Sequence, residues 1–184
     1  LGADSLNNIE GSIQANETLN IHTSGDIDNT RGILYSGTGT TVTAQTLNNE
    51  EGIIASMKAV FLDLFNLNGD NGNISGEEVT IHTTNMHSNN ATIQSTDGLY
   101  IVANEDVSLS NSAVLSTDNL SINTQTLHLN NTLLFAQNTG TINTGIFNNN
   151  DGVVSATQMY INTATFNNAN SHFYSVGGMV YIIA

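Results

Sequence analysis

The feature that most constrains this chain is a repeat of about 20 residues that runs along its length. The string Leu-Asn-Asn-x-x-Gly begins at Leu6 and returns at Leu47, and a version that opens with phenylalanine begins at Phe147. Self-similarity at such a period is typical of solenoids and other repeat architectures. Equivalent apolar anchor residues mark nine repeats, or coils, which we number from the N-terminus: Leu6, Ile27, Leu47, Leu67, Met86, Val107, Leu127, Phe147 and Phe166.

Residues at fixed distances from each anchor are alike in all nine coils. Seven residues after the anchor the side chain is apolar, and nine residues after it the side chain is small, as at Ile54 and Ser56. Twelve to fifteen residues after the anchor comes a pair of mostly apolar residues that are separated by one residue. Each coil therefore contains three segments with period-2 alternation, which predicts three short strands separated by turns. The pairs are Leu19/Ile21, Thr40/Val42, Val60/Leu62, Val79/Ile81, Leu99/Ile101, Leu120/Ile122, Gly140/Ile142, Met159/Ile161 and Met179/Tyr181.

A 20-residue unit of three strands cannot bury its own apolar face, but stacked units bury a continuous column and pair each strand with its copies. The chain contains no proline, which agrees with central strands that must donate their N–H groups. The sequence predicts an all-β fold: a right-handed parallel β-helix of about nine coils, with three short strands in each. The alternative is an antiparallel sandwich, which does not require the same residue size at the same offset in every repeat.

Charge and composition exclude several classes of function. The net charge is −14 with only two basic residues, so the chain has little with which to neutralise phosphates, and we expect no nucleic-acid partner. No apolar run approaches the length of a membrane helix and residues 1–20 lack a secretory-signal layout, so we expect no membrane insertion. Disulfides and thiolate metal sites are excluded because there is no cysteine.

The repeated string Leu-x-Asn-x-x-Gly-x-Ile-x-Ala/Ser, followed by Leu-x-Ile-x-Thr/Ala, resembles the haemagglutinin repeats of filamentous-haemagglutinin-like exoproteins. These two-partner-secretion proteins include adhesins and contact-dependent growth-inhibition effectors. The resemblance covers residues 5–184, although coils 5 to 7 lack both the asparagine and the glycine. The clearest matches are Leu6–Ala15 with Leu19–Thr23, Leu47–Ser56 with Val60–Leu64, and Phe147–Ala156 with Met159–Thr163.

The resemblance implies a fibre that is secreted or held on the outer surface of a Gram-negative bacterium and carries no chemistry in its repeats. We therefore expect residues 1–184 to be one β-helical domain, an excised segment of a longer fibre. Its expected function is that of a non-enzymatic shaft or stalk, an extended spacer that also offers an adhesive surface. Candidate partners are a receptor or glycan on a host or neighbouring cell, or another copy of the chain. The alternative is a polysaccharide-active β-helix enzyme.

The motif residues are expected to be structural. The glycines at Gly11, Gly32, Gly52, Gly72 and Gly152 share one turn position, where we expect glycine to supply a positive φ. The second asparagine of the motif is expected to point inward and to stack in a ladder. Its members are Asn8, Asn29, Asn49, Asn149 and Asn168. The first asparagine, as at Asn48, is expected to lie outward and to tolerate replacement by aspartate.

No catalytic, cofactor or metal site is predicted. His22 and His82 share an outward strand position, and the sequence interpretation places His87, His128 and His172 at different offsets, too scattered to hold a metal. Calcium between acidic turns is a further hypothesis, but no turn offers several carboxylates at a fixed spacing. Catalysis on a polysaccharide would need converging carboxylates.

Some outward positions carry apolar residues where a solvent-exposed face would carry polar ones. Alternation places apolar residues on the outside of the second segment in neighbouring coils, where other coils carry Thr, Ser and Asn. We expect five of them to form one exposed patch, which we call the apolar strip and which is the candidate interaction site. The apolar strip consists of Ala113, Leu115, Leu133, Phe135 and Val153.

Overall fold

The computed structural model describes residues 2–184, which form 19 parallel β-strands and contain no helix in that range. The strands are β1 Gly2–Ala3, β2 Leu6–Asn7, β3 Ser12–Ala15, β4 Thr18–Thr23, β5 Ile27–Asp28, β6 Ile33–Ser36, β7 Gly39–Asn48, β8 Ile53–Ser56, β9 Ala59–Asn68, β10 Asn73–Gly76, β11 Glu78–Asn89, β12 Thr92–Ser95, β13 Leu99–Ser110, β14 Ala113–Ser116, β15 Leu120–Asn130, β16 Leu133–Asn150, β17 Val153–Ala169, β18 His172–Ser175 and β19 Val180–Ile183.

Equivalent strands lie one above another, one coil apart. In β8, for example, Ile54 pairs with Leu34 of the coil before and with Ile74 of the coil after. Such pairing is only possible when like segments stack in register. The chain is therefore a parallel β-solenoid of about nine turns with about 20 residues in each, as the repeat predicts.

The strands are longer than the prediction of three short strands in every coil. The second segment of most coils is a separate strand of four residues, but the third segment usually continues into the first segment of the next coil, as in β9. The corner between these two segments is a bend in an extended chain. At one such corner the buried hydroxyl Oγ1 of Thr83 lies 2.9 Å from the carbonyl oxygen of Asn85 and 3.1 Å from that of Phe65.

The core is one continuous column inside the coils. The residues seven after the anchor are buried from coil 2 to coil 8, with Leu34, Ile54 and Leu134 fully inaccessible. Most anchor residues are equally buried. Near the C-terminal coils the column ends in a cluster of phenylalanines, in which the rings of Phe147 and Phe166 stack with centroids 5.2 Å apart. These positions confirm the inward register predicted from the alternation.

The last coil differs from the expected register by one residue. The sequence interpretation places Met179 and Tyr181 on the inward column, but Val180 pairs with the buried Met159 and Ile182 pairs with the buried Ile161. The turn that contains two consecutive glycines before this strand is one residue longer than its counterpart in most earlier coils. The extra residue shifts every later side chain to the opposite face of the strand.

Candidate interaction surface

The second asparagine of the motif forms a ladder inside the solenoid. Asn8 Nδ2 donates to Asn29 Oδ1, and Asn29 Nδ2 donates to Asn49 Oδ1, both at 2.7 Å. A second run forms in coils 8 and 9, where Asn149 Nδ2 donates to Asn168 Oδ1 at 2.9 Å. All but Asn168 of these residues are buried. The predicted inner ladder is confirmed in these two runs.

A different pair of residues replaces the asparagine and glycine in coils 6 and 7. Leu109 and Leu129 occupy the asparagine position, and hydroxyl residues occupy the glycine position. Thr132 Oγ1 lies 3.0 Å from the carbonyl oxygen of Leu109 and 3.1 Å from that of Asn130. The hydroxyl thus satisfies turn carbonyls in these coils, while the amides of Asn8, Asn29 and Asn49 do so in coils 1 to 3.

The motif glycine does not supply the positive φ, so that prediction is wrong. The left-handed residue is the one before it, such as Glu51 with φ of 53°, and no glycine among the described residues has a positive φ. Glycine is required for space, because a Cβ atom at Gly52 would overlap the backbone carbonyl oxygen of Asn29 in the preceding coil and would lie 2.5 Å from Asn49 Oδ1. Close packing against the preceding coil's backbone and against the inner ladder therefore explains the glycine.

The first asparagine lies on the outside and is more constrained than expected. Asn48 Oδ1 accepts a hydrogen bond from the backbone N–H of Glu50 at 3.3 Å and from Asn68 Nδ2 at 3.1 Å. Asn48 Nδ2 in turn donates to Thr30 Oγ1 at 3.0 Å and lies 3.5 Å from Asp28 Oδ1. An aspartate at this position would lose the donor and face the Asp28 carboxylate, so the contacts argue against the expected tolerance.

The structure brings the five residues of the apolar strip together. Ala113 pairs with Leu133, which pairs with Val153 in the next coil, and Leu115 pairs with Phe135. All five lie on the outer side, because the residues that alternate with them are fully buried in the core. Leu133 is 37% exposed and the other four are half-buried, so neighbouring side chains of the strip partly cover one another.

A buried hydroxyl lies next to the apolar strip. Ser155 pairs with Phe135 on one side and with Tyr174 on the other. Its side chain faces outward by alternation, yet it is 1% exposed and Oγ has no hydrogen-bond partner. The sequence analysis missed this residue because an outward serine usually lies in solvent; its burial depends on large neighbours in the adjacent coils.

A groove of about 410 Å³ follows the turn between the second and third segments across coils 3 to 6, and we call it the turn groove. Coil 4 has only 19 residues, and its turn is one residue shorter than in most coils. The backbone N–H groups of Glu77 and Glu78 both approach the carbonyl oxygen of Lys58, at 2.5 and 3.1 Å. Gly76 lies at this point, and a Cβ atom there would lie 3.0 Å from the Lys58 carbonyl oxygen and 3.4 Å from Cγ2 of the buried Val60.

The lining of the turn groove combines polar and apolar groups and carries little free charge. On one wall, Ser75, Gln94 and Leu115 follow each other in successive coils. The only ionisable side chain in the lining is that of Glu77, whose Oε2 lies 2.6 Å from Lys58 Nζ. Leu115 also belongs to the apolar strip, so the groove and the strip form one continuous surface.

A second, more open depression of about 590 Å³ lies in coils 6 to 8, at the corner between the third segment and the first segment of the next coil. Its lining is uncharged and includes Asn143, Asn162 and Thr165. The side chain of Ile146, which is 42% exposed, forms its apolar part. This depression is separate from the apolar strip in the repeat, since its residues belong to the third and first segments.

Two histidines lie on the same column, which corrects the expectation that they occupy different offsets. His87 and His128 each directly follow an anchor residue and are two coils apart, with Ser108 between them in the ladder. Two coils correspond to roughly 9.6 Å, which is too far for both rings to bind one metal ion. The described residues contain no group of three or more His, Asp or Glu that could hold a metal.

Each of these histidines instead lies near a carboxylate. The Nε2 atom of His87 is 3.8 Å from Asp70 Oδ1, and that of His128 is 3.8 Å from Asp106 Oδ1. Partial burial raises the pKa of Asp106, and the nearby His128 and His87 oppose that shift. We call Asp70, His87, Asp106 and His128 the histidine–aspartate row.

The remaining charged side chains do not converge with these groups. The guanidinium of Arg31 binds Glu10 Oε1 at 2.7 Å on the surface of coils 1 and 2. Asp63 is exposed on the outer side of β9. The described residues contain no helix that could cross a membrane. No protein family, curated protein or solved structure matches this chain.

Proposed function

We propose that this chain is a non-enzymatic shaft segment of a secreted or surface-exposed bacterial exoprotein, a stiff spacer that also presents an adhesive surface. The observation that carries the proposal is the single uninterrupted core. From coil 2 to coil 8, buried apolar residues stack without a break at the anchor position and seven residues after it, while the outward residues vary from coil to coil. A stack of nine coils extends roughly 43 Å along the solenoid axis.

Stiffness follows from how the coils are joined. Each central strand pairs with the strand before and the strand after it, and long strands such as β16 and β17 share fifteen paired positions. Bending such a stack would break several backbone hydrogen bonds at once. A spacer needs this property, and the variable outer side chains can change without disturbing it.

The adhesive part of the proposal rests on the apolar strip and the turn groove. Exposed apolar groups in contact with each other are costly in water and are commonly covered by a partner. The location expected from the family resemblance, the outer surface of a Gram-negative cell, would give this surface access to receptors or glycans.

The alternative is a polysaccharide-active enzyme, and the histidine–aspartate row is the observation that favours it. A carboxyl group with a raised pKa beside a histidine is a suitable general acid. Against this, Asp106 and Asp70 lie beside different histidines, and neither lines the turn groove or the second depression.

An oligosaccharide screen that monitors both binding and cleavage separates the two functions. Binding without new reducing ends is the expected result for an adhesive shaft. New reducing ends that form with the parent chain, and not with Asp106→Asn, would contradict the proposal and assign the cleavage to the row.

A further inference from the structure

We infer that the turn groove is the binding site for an uncharged linear glycan that lies along the solenoid axis, in contact with Ser75, Gln94 and Leu115. This inference rests on the proposed adhesive function and names the site and the ligand class for it. It follows from the width of the groove, the pairing of its strands, the chemistry of its lining and its charge.

The width of the turn groove selects a single extended chain. Its walls are outward residues two positions apart on the same strand and turn, such as Gln94 and Thr96, so they are separated by about 7 Å. An α-helix with its side chains is about 10 Å across and does not fit between them. Between these walls the Ser95 side chain faces the interior, where its hydroxyl lies 3.0 Å from Ser116 Oγ, so it does not project into the groove.

Strand pairing argues against an extended peptide as the ligand. A peptide that binds along a sheet needs an unpaired strand edge for its N–H and C=O groups. The strands that form the groove, β8, β10, β12 and β14, are each paired on both sides. A bound peptide would therefore leave most of its backbone groups without partners, at a free-energy cost for each group.

The lining matches the amphipathic surface of a sugar ring. Gln94 offers an amide with both a donor and an acceptor, Ser75 offers a hydroxyl, and no hydrogen bond occupies either side chain. Leu115 supplies an apolar contact for the C–H face of a ring. These groups recur once per coil, about 4.8 Å apart, a spacing close to the length of one sugar unit in an extended glycan.

Charge selects an uncharged glycan. The chain carries a net charge of −14, which repels sulfated or carboxylated polysaccharides. The one carboxylate in the groove, that of Glu77, is paired with Lys58 at 2.6 Å. Binding should therefore change little with salt, unlike the binding of a polyanion to a basic surface.

The test titrates the intact chain with defined oligomers of four to six units: cello-, malto- and N-acetylchito-oligosaccharides, with oligogalacturonate as the charged comparison and a proline-free hexapeptide as the peptide comparison. The variants are Gln94→Ala, which removes the amide, and Ser75→Phe, which fills the groove from its outer wall. The matched control is Gln14→Ala, since Gln14 occupies the same position as Gln94 in coil 1, outside the groove.

We expect at least one uncharged oligomer to bind, Gln94→Ala to weaken that binding roughly tenfold, Ser75→Phe to abolish it and Gln14→Ala to leave it unchanged. Thermal unfolding of each variant confirms that it is folded. The inference is overturned if no uncharged oligomer binds, if only oligogalacturonate or the hexapeptide binds, or if Gln94→Ala and Ser75→Phe bind like the parent. Binding that instead responds to Asn143→Ala would move the site to the second depression and also overturn it.

These outcomes are distinguishable from failure of the proposed function. Glycan binding that ignores the groove variants, or cell binding without any glycan affinity, removes the groove assignment and leaves an adhesive shaft. Cleavage of a bound oligomer removes the non-enzymatic shaft, while sensitivity to Gln94→Ala would still support the groove.

Discussion

At the residue scale, the turn motif places side chains on both the outer and the inner side of the chain. The first asparagine makes hydrogen bonds on the outside of the turn, and the second makes hydrogen bonds on its inside. The glycine makes room for the second asparagine, while the residue before the glycine adopts the left-handed conformation. The motif is therefore a packing unit, and its residues should respond differently to substitution.

We predict opposite effects for substitutions at Glu51 and Gly52. Glu51→Asn should raise the free energy of unfolding by about 1 kcal/mol, because asparagine adopts positive φ more easily than glutamate. Gly52→Ala should lower it by about 1–3 kcal/mol, because the new Cβ would overlap the Asn29 carbonyl oxygen and Asn49 Oδ1. Urea denaturation measures both. A stabilised Gly52→Ala would contradict this close packing.

At the element scale, each strand separates an inner from an outer set of side chains, and neighbouring residues can be compared directly. In β8, Ile54 is fully buried and Ile53 is 41% exposed. The two side chains have the same chemistry, so the difference in their response to substitution reports the direction in which they point.

Ile54→Asp should destabilise the chain by more than about 4 kcal/mol, because it buries an unpaired charge in the core. Ile53→Asp, the matched control, should change the stability by less than about 1 kcal/mol. Leu134→Ala should cost about 2–5 kcal/mol through the cavity it leaves. If Ile54→Asp unfolded at the same urea concentration as the parent, the coil register would be wrong.

A buried hydrogen-bond acceptor has no partner at the boundary between coil 7, which carries leucine at the inner motif position, and coil 8, which carries asparagine there. Asn149 Oδ1 has none, because the preceding coil carries Leu129 where an asparagine would donate to it. In the coils that carry the inner asparagine, the residue three positions after it is always glycine or serine. The two positions in coil 7 should therefore be energetically coupled.

A double-mutant cycle tests this coupling. Leu129→Asn together with Thr132→Gly should be more stable than the sum of the single effects by about 1–2 kcal/mol, because the new amide reaches Asn149 Oδ1 only when the Thr132 side chain is removed. Stability is measured by urea denaturation of the four proteins. Strictly additive effects would show that the ladder does not extend into this coil.

At the scale of the whole molecule, nine coils share one core and one surface whose character changes along the axis. On the outer side of the second segment, coils 2 and 3 are mainly apolar, coils 4 and 5 are polar, and the apolar strip lies in coils 6 to 8. The fold holds these regions at fixed separations.

Replacing Leu133 with Thr and Phe135 with Ser should abolish side-to-side association or cell binding through the apolar strip. The change matches the polar coils and leaves the inward columns untouched, so the thermal midpoint should stay close to that of the parent. Sedimentation and a cell-binding assay measure the effect. Equal behaviour of parent and variant would remove the apolar strip from the adhesive surface.

Stability should not depend on a bound metal. The acidic side chains of the turns do not form groups of three or more with His among the described residues. Treatment with a chelator should therefore leave the thermal midpoint unchanged. A large decrease that calcium alone reverses would instead identify a calcium site in the acidic turns.

The sequence by itself determined the repeat, the parallel stacking and the inward columns. A 20-residue unit with period-2 alternation has one way to bury its apolar side chains, so the burial of Leu34, Ile54 and Leu134 follows from the pattern. The same pattern brought the five residues of the apolar strip together in prediction and structure. The spacing of residues along the chain is enough to predict the structure wherever equivalent residues of neighbouring coils stack on each other.

Only the tertiary structure decided the features that depend on unlike neighbours. The turn groove spans four coils, of which coil 4 has a turn one residue shorter than those of its neighbours, and Ser155 is buried between strands that carry Phe135 and Tyr174. The glycine of the motif is selected by close contact with the backbone of the preceding coil and with the inner asparagine, which a rule about backbone conformation does not detect. These properties arise from contacts between coils, and spacing along the chain does not encode their geometry.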